Sequence, residues 1–311
     1  MWQVTGAGSR TARLVTCHPS PVTPAAFTLV EVMVVVVLLS LIVIVLMGVF
    51  NSTQTAFRAS VTQTDVLEGG RAAMDLMSGD LKAMTPSLGV NNGAVNFCVT
   101  SYGYPPLYQS LVASSSTSVQ RANVQENFFI LSLGNQGGVP TWFATGYAVY
   151  LSPTNLYSLY RFSASSPVAT PGMPGNLFYN SYSYNSFRLF TNAPTGYSHL
   201  IDGVVGLRLT AFDVNGAPIT NNLAASNMRT NFLPNVPGTP GYFFYSNAVP
   251  ASVEIEMATL EDRTLQRAST WPNIYTSPST AQSNYLAQQS GKVHVFRQRI
   301  SIPNVDPSAY Q

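Results

Sequence analysis

The residue types that most often do chemistry are scarce in this chain of 311 residues. Histidine occurs at His18, His199 and His294, and cysteine at Cys17 and Cys98. No H-x-x-x-H or C-x-x-C spacing brings two of them into one turn, so no familiar zinc set forms. His294 stands between Val293 and Val295 in an alternating segment, which predicts a place on the solvent face of a strand. No G-x-S-x-G elbow or phosphate loop is present. Asp213-Val214-Asn215-Gly216 opens like a calcium loop but lacks the later Glu, and reads as a turn. Glu254, Glu256, Glu261 and Asp262 form an acidic cluster that could take a cation; a solvated strand end is the plainer reading. The expectation is no catalytic, metal or cofactor site.

One titratable residue is out of place. Glu31 lies near the start of an apolar run, and from Val32 to Phe50 only Ser40 and Gly48 are not strongly apolar. As a helix those residues extend about 28 Å, against a hydrocarbon core of about 30 Å. A buried core helix normally keeps a polar stripe, and a cleavable secretory signal has a shorter apolar core followed by a small-residue site. Here the small residues Ala25 and Ala26 precede the run. A carboxylate at the centre of a membrane helix costs roughly 2–3 kcal/mol even on lenient scales. Near the edge it costs less, so an interfacial residue that snorkels is the plain alternative to the specific role its context suggests.

The elements that must position Glu31 follow from pattern. Arg10 and Arg13 precede the apolar run with no acid beside them, which keeps that end cytoplasmic and sends the rest across. After Phe50 the pattern stays helical but turns amphipathic. Leu67, Met74, Met77, Leu81 and Met84 share one face, expected to pack on a head domain. Gly69-Gly70 marks a point where the helix could kink. Pro86 ends it, so one helix is expected from about Thr28 to Met84. Beyond Leu88, short apolar runs alternate with Gly, Pro, Asn and Ser clusters. Strands are expected at Phe128–Leu133, Trp142–Leu151, Leu156–Phe162, Asn176–Phe190, Val204–Phe212, Tyr242–Tyr245, Val253–Leu260 and Val293–Ile302. Asn215-Gly216 signals a hairpin turn. Ser163–Pro174 and Tyr275–Gln289 read as exposed loops.

Composition agrees with a neutral, turn-rich β surface. Apolar residues make up 46% and charged residues 9%, against about 25% charge in an ordinary globular domain. Net charge is +2 with no basic run, so nucleic-acid binding has no footprint. The many Tyr and Phe residues are expected in the β core or at a subunit interface.

The string Ala26-Phe27-Thr28-Leu29-Val30-Glu31, joined to the apolar run, resembles the prepilin cleavage and methylation motif of type IV pilins and type II secretion pseudopilins. The resemblance implies cleavage between Ala26 and Phe27, N-methylation of Phe27, and Glu31 as the fifth residue of the mature chain. There Glu31 would pair with a freed α-amine, its own or a neighbouring subunit's, and set the register of assembly. Two departures stand out: Ala26 replaces the usual Gly, and the leader is long, with Pro19, Pro21 and Pro24 before the cut. Removing residues 1–26 takes Cys17 and both leader arginines, leaving 13 basic and 13 acidic residues. Cys98 then has no intramolecular partner, and a small residue in a strand is the plain reading.

The segment Arg71 to Ala83 (RAAMDLMSGDLKA) is similar to J-type minor pseudopilins and PilW-like minor pilins. The closing strings PASVEIEMATLED and VFRQRISIPN resemble the J-type in outline. The Tyr- and Asn-rich head is also similar to larger pilin-like proteins of Verru_Chthon-type cassettes, protein C in particular. The implied fold class is α+β: a long N-terminal α-helix packed on an antiparallel β-rich pseudopilin head. The implied organisation is a leader at 1–26, a transmembrane helix at 27–50, an amphipathic continuation at 51–86 and a head at 87–311. Implied partners are a prepilin peptidase, other pilin or pseudopilin subunits and inner-membrane lipid, with the head periplasmic or at the cell surface. Two rivals stand beside this reading: a membrane-tethered adhesin or binding head that uses the pilin motif only for export, and an anchored hydrolase, for which the sequence offers no catalytic set.

Overall fold

The computed structural model describes residues 28–88, 94–101, 106–111, 120–150, 156–181, 197–219, 228–232, 240–271 and 279–310. Two compact units divide the chain, Met1–Phe57 and Arg58–Gln311. Helix α1 (Leu29–Lys82, 54 residues) supplies the described part of the first unit and continues into the second. Its apolar stretch is exposed throughout, with Leu29 at 75% and Val43 at 46%. It is long and apolar enough to cross a membrane.

The second unit is β-rich and antiparallel. Its strands are β1 (Val95–Ser101), β2 (Leu107–Ser110), β3 (Gln120–Asn123), β4 (Glu126–Gln136), β5 (Val139–Tyr150) and β6 (Ser158–Pro167). Helix α2 (Gly175–Ser181) precedes β7 (Tyr197–Ile201), β8 (Val204–Phe212), β9 (Met228–Phe232), β10 (Pro240–Tyr245) and β11 (Ser252–Leu260). Helices α3 (Asp262–Ala268) and α4 (Thr280–Ala287) lead to β12 (Val293–Ser301). Seven strands form one sheet in the order β7-β6-β5-β4-β1-β10-β9. Three more form a second sheet, β12-β11-β8, and β2 pairs with β3.

Both faces of the large sheet are covered, which is why its central strands read as continuous apolar runs. On one face Phe97, Phe128, Ile130, Tyr147 and Phe244 join a core shared with α1 and the three-stranded sheet. On the other, Cys98, Phe129, Leu131 and Trp142 pack with Leu177 and Phe178 of α2. Phe128 and Tyr147 stack at 4.7 Å, and Phe129 meets Phe178 edge-on at 5.1 Å. These aromatic residues fill core.

Helix α1 contributes Ala73, Met74, Met77 and Leu81 to this interior, joined by Met84 just past its end; Val66 is also buried, while Leu67 is only half-buried. The glycine pair does not break the helix. A Cβ on Gly70 would lie 2.4 Å from the Phe296 ring, and one on Gly69 would lie 3.1 Å from Ile201. The glycines let the helix approach two strands closely. Asp80 then fixes the helix to the large sheet. Its carboxylate accepts from Arg161 Nε at 2.8 Å, Arg161 Nη2 at 3.2 Å and Tyr147 Oη at 2.5 Å.

Three sequence expectations need correction. Asn176–Phe190 is not a strand where described: 175–181 form α2, begun by Asn176 N–H donating to Gly172 O, and 182–190 lie outside the described residues. Aromatic residues suggested a strand there, but two adjacent apolar side chains, Leu177 and Phe178, dock on the sheet from one short helix. Ser163–Pro174 is strand β6 as far as Pro167. Within Tyr275–Gln289, residues 280–287 form α4, begun by a reciprocal Ser279–Gln282 capping box. Gln282 Nε2 also donates to Ala268 O and Trp271 O, a tertiary anchor that a polar sequence does not advertise.

Candidate functional site

Thr28 is the residue before the first turn of α1, and Glu31 is the third residue within it. Glu31 Oε2 accepts from Thr28 N–H at 3.0 Å and from Thr28 Oγ1 at 3.0 Å. Glu31 N–H donates to Thr28 Oγ1 at 3.4 Å, and Val32 N–H to Thr28 O at 3.3 Å. This is a capping box. It satisfies donors that an exposed helix end would otherwise leave open, and in lipid such open groups cost several kcal/mol each. Thr28-x-x-Glu31 carries that signature in the sequence. Ala26 and Phe27 lie outside the described residues.

The head residues separate into structural pairs. Glu254 accepts from Arg297 at 2.6 Å, Glu256 lies 3.6 Å from Arg121, and Glu261 lies 3.3 Å from Lys292. Three acids of the cluster are thus each turned to a cation, while Asp262 accepts from Gln266 Nε2 at 3.3 Å. Asp213 Oδ1 accepts from Asn215 N–H and Ala217 N–H, and Gly216 takes φ +81°, so this segment is a closed turn. His294 is not a solvent-facing residue. It shares its strand face with Phe296 and Ile300, its side chain is 20% exposed, and its Nε2 stands 3.7 Å from Glu261. Burial pushes the Cys98 thiol far above its ordinary range, which removes the thiolate needed for reactivity.

Ser158, Asp202 and His199 meet in the fold, though not in an order that activates a nucleophile. Ser158 Oγ donates to Asp202 Oδ1, and His199 Nε2 reaches the same oxygen at 2.8 Å. Serine is buried and faces an acid that is hydrogen-bonded twice, with no imidazole on its hydroxyl. Nearby, a groove of about 230 Å³ opens between Thr62–Gly69 of α1 and the β7–β8 turn, carrying Asp65, Asp202 and Asp262. Among the described residues no three His, Cys, Asp or Glu are placed to hold a metal ion. No family model, curated protein or solved structure matches this chain.

Proposed function

We propose that this chain is a minor pilin- or pseudopilin-like subunit, cleaved between Ala26 and Phe27 by a prepilin peptidase and assembled through its N-terminal helix. The head would stand in the periplasm or at the cell surface, anchored by a single pass through the inner membrane. Its work is structural: joining other pilin-like subunits in a secretion or type IV pilus-like filament. The observation that carries this reading is a carboxylate held at the first turn of an exposed apolar helix.

The local geometry suits a charge role. Phe27 is bonded to Thr28, so a freed Phe27 amine would lie within about 4 Å of the Thr28 nitrogen by covalent geometry. Glu31 already accepts from that nitrogen. A carboxylate beside an ammonium in low dielectric is tolerable only when the two pair. Capping and charge pairing are separable. Glu31→Gln keeps an acceptor for Thr28 and loses the charge, whereas Glu31→Leu loses both.

Mass analysis of the N-terminus of membrane-extracted protein tests processing, and a chain beginning at N-methylated Phe27 is expected. Protein that retains residues 1–26, or begins beyond Phe50, defeats the reading. In-membrane crosslinking then separates assembly from the rival tethered binding head. Assembly gives helix-to-helix products between subunits that Glu31→Gln and Glu31→Leu both abolish; a tether gives none.

A further inference from the structure

Glu126 is the only fully buried carboxylate among the described residues. It stands at the start of β4, in the seven-stranded sheet, and reaches across to the three-stranded one. Its Oε2 accepts Leu209 N–H of β8 at 2.6 Å, while its Oε1 has no partner among the described residues. Two further bonds complete the seam: Leu207 N–H to Val124 O at 2.8 Å, and Gln125 Nε2 to Val205 O at 2.6 Å. A side-chain carboxyl here replaces the backbone carbonyl that a neighbouring strand would supply.

The seam bears on α1. The three-stranded sheet holds the helix through Phe296 against Gly70, and the seven-stranded sheet holds it through Asp80. The helix is thus held from both sides of the seam.

We propose that Glu126 is a proton-dependent latch: with its carboxyl neutral the β4–β8 seam is closed, and loss of the proton loosens it. An ionised carboxylate with a single protein donor is far more costly to bury than a neutral acid. The titratable groups bearing on it are Arg208 of β8, which favours the anion, and Tyr242 of β10, whose own phenol is pushed up to about 12, mainly by burial and next by Glu126. Arg121 of β3 is turned to Glu256. Burial outweighs the Leu209 bond and Arg208, and pushes the Glu126 carboxyl up to about 8. The sign follows from linkage. The folded chain holds this proton more tightly than the unfolded chain, so the contribution is full at acid pH. It falls away between the ordinary carboxyl value of 4.5 and about 8.

The latch is independent of leader processing and assembly, so the test uses the full chain in lipid nanodiscs. Amide exchange at β8, corrected for the intrinsic rate, is followed from about pH 6.5 to about pH 9. Each pH unit between the open-state and closed-state values corresponds to about tenfold, so a loss of about thirtyfold in Leu209 protection is expected from about pH 6.5 upward, levelling off above about pH 8. Glu126→Gln should change by less than about threefold over the same range, because the amide oxygen still accepts Leu209 N–H without titrating. Parallel loss in both proteins, or constant protection in both, overturns the latch. Should Glu126→Gln not fold, infrared spectra of the wild-type chain decide. A protonated-carboxyl stretch present near pH 6.5 and gone near pH 9 sustains the proposal, and its absence at the lower pH overturns it.

Discussion

Replacing Asp80 with Ala takes away the carboxylate that α1 offers to two strands of the seven-stranded sheet. Asp80 receives a two-point contact from Arg161 and the phenol of Tyr147. The side chains of Arg161 and Asp80 keep 26% and 21% of their exposure, so the contact lies between two limits. A hydrogen bond to a charged group contributes about 1.5–3 kcal/mol when buried, and a fully exposed ion pair about 0–1 kcal/mol. Removing the acid also leaves the guanidinium facing a phenol whose ionisation is already suppressed, chiefly by burial and then by Asp80. A gross loss of about 2–3 kcal/mol follows, offset by about 0.5 kcal/mol because Ala is the better helix former. The net expectation is about 2 kcal/mol. Denaturant unfolding of the full chain in detergent micelles, read by aromatic near-ultraviolet dichroism, measures it. A cycle with Arg161→Met should show coupling of at least about 1 kcal/mol, since the two residues touch. A loss under about 0.5 kcal/mol, or strict additivity, would refute the claim that this contact fixes helix to sheet.

Two further outcomes are expected. Gly70→Ala drives a methyl toward the Phe296 ring at 2.4 Å, for a loss of about 1–3 kcal/mol despite better helix propensity. Adding Phe296→Leu should recover part of that loss; equal stability of Gly70→Ala and wild type would show that the helix and β12 are not in contact. Cys98, fully buried with its thiol held protonated, should resist iodoacetamide in the folded chain and react only at the unfolding rate; rapid labelling under native conditions would place it at a surface.

The long helix was legible before any coordinates because its signals are local. An unbroken apolar run, a repeating Met and Leu face and Pro86 act within a few residues of one another, and α1 covers Leu29–Lys82 accordingly. Strand β8 was legible to the residue, and β4, β5, β10, β11 and β12 within a few, because burial on one or both faces leaves an apolar pattern. Strands β1, β2, β3, β7 and β9 were missed, being short or rich in polar residues such as Asn96, Gln109 and Asn123. Those side chains are buried because the fold supplies partners. Asn96 receives Ser87 N–H and donates to Ser246 O and Ala248 O, and Asn123 donates to Leu107 O and to Gln109.

Local pattern alone places the apolar helix, the acid in its first turn and the β-rich region that follows. Each depends on composition and periodicity within one segment. Folding in three dimensions is what brings Asp80 to Arg161 and Tyr147, sets Glu126 between two sheets and places Phe296 against Gly70. Those partners lie tens to hundreds of residues apart in the chain. Their meeting depends on sheet order and helix docking, which no local pattern encodes.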